Sequence, residues 1–155
     1  MANAIKNFLF GGWGATSRFG DIGLLICRAG TGLMMAYAHG FSKVYSNGSL
    51  GPSNEMIGSV KNVGFPMPTA FAWMAALTEF LGGILLAAGL MTRPVALALT
   101  FNMAVAAFGV HGKDPLAVKE MALLYMLAFA TFIFTGAGRY SIDKFFRKTS
   151  AAAKA

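Results

Sequence analysis

Four stretches of this chain, residues 22–38, 69–90, 94–110 and 117–136, are each apolar for about the length needed to cross a lipid bilayer. A hydrocarbon core about 30 Å thick takes about 20 helical residues. Lipid offers no partner to a backbone N–H or C=O, so each run is expected to be a helix. Composition supports this. Hydrophobic residues make up 56% of the 155 and charged residues only 12%, where a soluble domain carries about 25% charged; mean hydropathy is +0.59. Disorder and coiled coil are excluded, and a single cysteine excludes a disulfide scaffold. The expected fold is all-α, an integral membrane four-helix bundle that forms one membrane domain over 1–155.

Met91-Thr92-Arg93 alone separates the second run from the third, so these two form an antiparallel hairpin, with Pro94 in the first turn of its helix, where a missing N–H costs nothing. Arg28 interrupts the first run and no cleavage site follows it, which argues against a signal peptide. With the N-terminus inside, Lys6, Arg18, Arg93, Arg139, Lys144, Arg147, Lys148 and Lys154 lie on the inner side, against Lys43, Lys61, Lys113 and Lys119 outside. Basic residues favour the cytoplasmic face, so both termini are expected there. The outer loop, 39–68, holds one periodic stretch: Ser53 can cap a helix with Met56, Ile57, Val60 and Val63 on one face, ended by Gly64 and Pro66. It reads as an interfacial helix or a lid. In the basic cytoplasmic tail, 139–155, residues 141–148 form an amphipathic piece suited to anionic lipid. The net charge of +7 does not point to nucleic acid, because the basic residues are spread between apolar runs without interleaved aromatics.

Ionisable residues at membrane depth are functional candidates, because lipid supplies them no partner. Arg28, Glu79 and Glu120 qualify, with Asn102 as a neutral companion. Counting at 1.5 Å per residue from Asp21 and from Leu90 puts Arg28 and Glu79 about 6 Å apart in depth, which predicts an intramembrane ion pair. Gly32, Ala36 and Gly40 follow Arg28 at four-residue steps, and Ala72, Ala75, Ala76, Gly82 and Gly83 surround Glu79. Such stripes let helices approach closely. The pair then either fixes helix register or takes part in proton transfer or ligand binding.

Glu120, His39 and His111 fall at one depth near the outer face, and Lys43 shares the face of His39 if the helix continues past Gly40. His39, Lys43, His111 and Glu120 are therefore expected to form an outer polar pocket. Two histidines on different helices could ligate haem, but neither lies deep in its run, and water-facing histidines at helix ends are the plainer reading. No metal site is expected. Cys27 has no partner cysteine for a dithiol relay and reads as inert packing. Residues 11–14, Gly-Gly-Trp-Gly, form an interfacial turn and not a phosphate cradle. The methionines lack a regular copper-binding array, and Asn47-Gly48-Ser49 matches a glycosylation acceptor only as a short pattern.

These residues occur in an ordered series. Arg28 is followed by His39-Gly40-x-x-Lys43, Gly64-Phe65-Pro66, Glu79-Phe80-x-Gly82-Gly83 and Gly89-Leu90-x-Thr92-Arg93-Pro94; Glu120 and Gly136-x-Gly138-Arg139-Tyr140-Ser141-x-Asp143 close it. The series resembles the DoxX family of small four-helix bacterial membrane proteins. The resemblance implies a multi-pass protein of the bacterial inner membrane. It also suggests a link to quinone-dependent redox chemistry, since the family is named for the membrane component of a thiosulfate:quinone oxidoreductase.

Three functions follow from these readings. One is a membrane subunit that binds quinone, with Glu120, His39 and Lys43 serving its carbonyls. No motif for a metal, flavin or thiol pair supplies an electron store, so such a subunit would have no redox centre of its own and no covalently bound cofactor. The second is a non-catalytic accessory or assembly subunit of a larger complex. Both imply the lipid bilayer and other membrane or periplasmic subunits as partners. A proton-coupled transporter using Arg28 and Glu79 is the weakest, since no internal repeat is evident.

Overall fold

The computed structural model describes residues 18–46 and 48–146. The turn at 11–14, Asn47, and the basic residues Lys6, Arg147, Lys148 and Lys154 lie outside the described residues. Helix α1 (Arg18–Val44) is followed by a hairpin of β1 (Tyr45–Ser46) and β2 (Ser49–Leu50), in which Tyr45 pairs with Leu50 and Ser46 with Ser49. Then come α2 (Asn54–Val63), α3 (Pro68–Ala88), α4 (Thr92–Val110) and α5 (Leu116–Thr135). Helices α1, α3, α4 and α5 are the four long and apolar enough to cross a membrane. Ile26, Leu33, Leu81, Leu97, Phe101, Leu124, Leu127 and Phe134 point outward, while Asp21, Arg28, Glu79, Thr92 and Asp143 are buried. That inversion suits a chain solvated by lipid.

The first span is longer at both ends than the expected 22–38. It starts at Arg18 and runs through Gly40 to Val44. Residues Met35–Gly40 form a wide π-turn, closed by Phe41 N–H donating to the Ala36 carbonyl. A second π-turn, Val105–Val110, ends α4. The expected cap on α2 is present: Ser53 Oγ accepts from the Met56 N–H at 3.2 Å, and Gly64 ends the helix at φ +97°. Val63 at the end of α2 lies against Gly109 of the second π-turn.

Helix α1 packs on α3 along the expected stripe of small residues. A Cβ added at Gly32 would lie 2.6 Å from the Gly83 carbonyl oxygen, and one at Gly83 would lie 2.6 Å from that of Gly32. Both obstacles are backbone, so neither helix can yield without moving as a body. Gly83→Ala should therefore cost about 1–3 kcal/mol by overpacking. Gly30→Ala meets nothing within 4 Å and should be neutral or slightly stabilising through helix propensity. Thermal unfolding of both variants in one detergent checks the contrast; equal melting temperatures would contradict the packing.

Around the bundle α1 packs on α3, α3 on α4 and α4 on α5, whereas α5 barely meets α1. The apolar core of Met35, Leu86, Leu99, Met103, Phe129 and Phe132 lies inside. The seam between α1 and α5 stays open.

Candidate functional site

Arg28 and Glu79 are both buried, as expected, but they are not partners. Arg28 Nη1 donates to the Leu86 and Ala87 carbonyls, and Nη2 to the Tyr140 carbonyl at 2.7 Å. Leu86 and Ala87 lie seven and eight residues past Glu79, about 11 Å along the helix. The expected pairing fails because Asp21 and Leu90 do not mark one level. Asp21 sits beyond the end of α3, where its Oδ1 accepts from the Arg139 N–H at 3.1 Å. Arg28 is therefore level with the end of α3.

There it meets a need that every helix has. The last carbonyls of α3 run out of intrahelical donors, the Leu86 carbonyl also taking the capping Gly89 N–H at 2.9 Å, and a cation complements their dipole. Asp143 serves the start of α4 in the same way: its two oxygens accept from the Met91 and Thr92 N–H groups at 2.8 and 3.0 Å, and its own N–H donates to the Gly89 carbonyl at 2.9 Å. Gly89 has φ +70°, and a Cβ there would fall 2.7 Å from Arg28 Nη1. Arg28 and Asp143 thus clamp the two ends of the α3–α4 hairpin and hold 136–143 against it.

Glu79 belongs to a second polar cluster. Its Oε1 accepts from Lys43 Nζ at 2.6 Å and from Asn102 Nδ2 at 3.0 Å. Among the described residues its buried Oε2 has no hydrogen-bond partner. Glu79 lines a cavity of about 190 Å³ to which all four spans contribute: Met35, His39 and Lys43 from α1, Met103 and Ala106 from α4, and Val118, Met121, Ala122 and Tyr125 from α5, with His111 beside them. The His39 ring meets the Tyr125 ring edge-on, centroids 5.5 Å apart. His111 Nδ1 lies 2.7 Å from Asp114 Oδ2.

The π-turn explains how one helix face serves two purposes. Four-residue steps along an α-helix drift by about 40° each. A wider turn takes back part of that drift, so Met35, His39 and Lys43 stay on the cavity while Gly32, Ala36 and Gly40 stay on α3. Turns of this kind commonly occur at functional sites; here both border the cavity.

Of the expected outer pocket, His39, Lys43 and His111 converge and Glu120 does not. Glu120 is exposed. It stands two residues from both Val118 and Ala122, about 200° around α5 from the cavity face. Glu79 takes its place as the carboxylate. Tyr125 joins them without a sequence signal, since one tyrosine in an apolar run gives no sign of facing inward. Cys27, expected to be packing, is exposed on the outside of α1. Among the described residues no group of three His, Cys, Asp or Glu could hold a metal ion.

The open seam between α1 and α5 holds a larger groove of about 650 Å³, lined by Thr31, Met34, Ala38, Leu124 and Ala128 and sharing His39, Met121 and Tyr125 with the polar cavity. The cavity therefore adjoins an apolar slot at the lateral, lipid-facing side of the bundle. What it can accept is a molecule with a small polar head and an apolar tail.

Four apolar spans around a buried polar cluster define a multi-pass membrane protein. The DoxX family pattern matches residues 23–112, and the chain belongs to that family. The match takes in His39, Lys43, Glu79, Asn102 and His111, and stops short of Tyr125 and Asp143. A Haemophilus influenzae protein, described as uncharacterised, is 43% identical over 101 residues, 60% of this chain and 72% of that protein. No solved structure matches.

Proposed function

We propose that this protein is a quinone-binding subunit of the bacterial inner membrane, with both termini cytoplasmic. The observation that carries the reading is the junction of the polar cavity with the apolar groove at His39, Met121 and Tyr125. A quinone headgroup needs donors for its carbonyl oxygens, and the reduced form needs an acceptor for its hydroxyls. Lys43 and His39 supply donors; Glu79 Oε2 supplies a buried acceptor that has no partner of its own among the described residues. The isoprenoid tail would lie in the groove, where burying apolar surface contributes about 25 cal/mol per Å². Interconversion of bound quinone and quinol moves two electrons and two protons. The electrons would be exchanged with a redox centre on another subunit.

The test is purification from the native membrane in mild detergent, followed by mass spectrometry of extracted lipids and of co-purifying proteins. About one quinone per chain is expected. Co-purifying subunits with no quinone, and no binding of added quinone in nanodiscs, would instead favour an accessory or assembly role. Ala128→Trp fills the groove and leaves the polar cavity untouched. It should weaken a long-tailed quinone tenfold or more, which is about 1.4 kcal/mol, and a tailless analogue hardly at all. Equal weakening of both would remove the tail from the groove.

A further inference from the structure

We propose that the polar cavity exchanges protons with water at one end of the bundle only, through His111 and Asp114. This rests on the geometry of the cavity and adds to the quinone reading the side on which its protons move.

His111 lies at the cavity wall, and its Nδ1 is bonded to Asp114 Oδ2 at 2.7 Å. Both side chains are about two-fifths exposed, so the pair joins the cavity to outside water at the end where Lys43, 36% exposed and bonded to Glu79 Oε1, also reaches it. A ring whose Nδ1 is held by a carboxylate can take a proton there and pass one on from Nε2. The other charged group of that loop is Lys113, and from the first turn of α5 Lys119 Nζ reaches back to the Gly112 carbonyl at 3.2 Å. On the inner side the pair faces His39 and Lys43 of α1, Glu79 of α3 and Tyr125 of α5. A volume of about 190 Å³ corresponds to about six waters at 30 Å³ each, enough to bridge His111 to Glu79 Oε2.

The opposite direction is closed. Met35 and Met103 form the floor of the cavity, and Leu86, Leu99, Phe129 and Phe132 continue the seal beneath them. The next buried charges, Arg28 and Asp143, are committed to the backbone of the hairpin. With both termini cytoplasmic, the open end is extracytoplasmic, and the protons that a bound quinone takes up or releases would be exchanged with that side.

Time-resolved infrared spectroscopy of the full chain in nanodiscs, without quinone, tests the relay. After an acid jump, the carboxylate band of Glu79, identified by its loss in Glu79→Gln, converts to the carboxylic acid band. Conversion should slow at least tenfold in His111→Phe and in Asp114→Asn, and His111→Gln should not restore it. Both positions lie at the exposed end, and unchanged thermal unfolding would show that the fold is intact. In sealed vesicles of known orientation, a jump on the side carrying residues 111–115 should act at once. A jump on the other side should act only as fast as the two compartments equilibrate. Unchanged rates in both His111 variants and Asp114→Asn, or equal response from either side, would overturn the proposal. Failure to bind quinone with the relay intact would count against the quinone reading alone.

Discussion

Arg28→Leu should destabilise the protein by about 3–5 kcal/mol, the scale expected when one member of a buried charged network is removed. The change takes the guanidinium from the Leu86, Ala87 and Tyr140 carbonyls, of which Leu86 keeps the Gly89 N–H, and leaves Asp143 without its nearby cation. Arg28→Lys should recover only part of the loss, because an ammonium lacks the fork that reaches three carbonyls at once. The partners are identified by double substitution. Arg28→Leu with Asp143→Leu should be less damaging than the sum of the singles, by about 0.5–3 kcal/mol. Arg28→Leu with Glu79→Leu should be additive to within about 0.3–0.5 kcal/mol, as for sites with no shared partner. Unfolding in mixed micelles measures both cycles. Strong coupling between Arg28 and Glu79 would restore the intramembrane pair and contradict the observed register.

Lys43→Leu should be worse than Glu79→Leu. Removing Lys43 leaves a carboxylate that is 2% exposed with Asn102 as its remaining donor, whereas removing Glu79 leaves an amine that is 36% exposed at the cavity wall and able to hydrate. The first should cost about 1–3 kcal/mol, the scale of an unmade buried hydrogen bond, and the second clearly less. Adding Glu79→Gln to Lys43→Leu removes the stranded charge and should return much of the loss. Glu79→Gln alone should leave folded yield nearly intact while weakening quinone binding, because the amide is no longer an acceptor only. Melting curves and nanodisc titrations separate the two effects. Should Glu79→Leu prove the more damaging change, Lys43 is not the partner on which the burial of Glu79 depends.

The residues of the site were largely legible in the sequence, but their pairing was not. His39, Lys43, Glu79, Asn102 and His111 stand out because each is polar where lipid would otherwise be met. Counting depth pairs residues correctly only where all helices start at a common plane. Helix α1 begins below the end of α3, so Arg28 drops to the hairpin and Glu79 is left for Lys43. Glu120 misled for a related reason: depth places a residue along a helix and says nothing about which way round it faces. The two π-turns have no signature in the sequence, because they answer the packing of α1 and α4 on their neighbours.

Runs of apolar residues, with their Gly, Pro and charged boundaries, determined by themselves that the chain forms four spanning helices, that the second and third form a hairpin, and that α1 meets α3 along Gly32, Ala36 and Gly40. Each of those conclusions depends on local chemistry: backbone groups that lipid cannot satisfy, and side chains small enough to let two helices touch. The choice of partner for each buried charge, the gathering of four helices around Glu79 and the open seam between α1 and α5 were decided only by the tertiary structure. They depend on the relative height and rotation of whole helices, and those are set by the sum of contacts across the bundle.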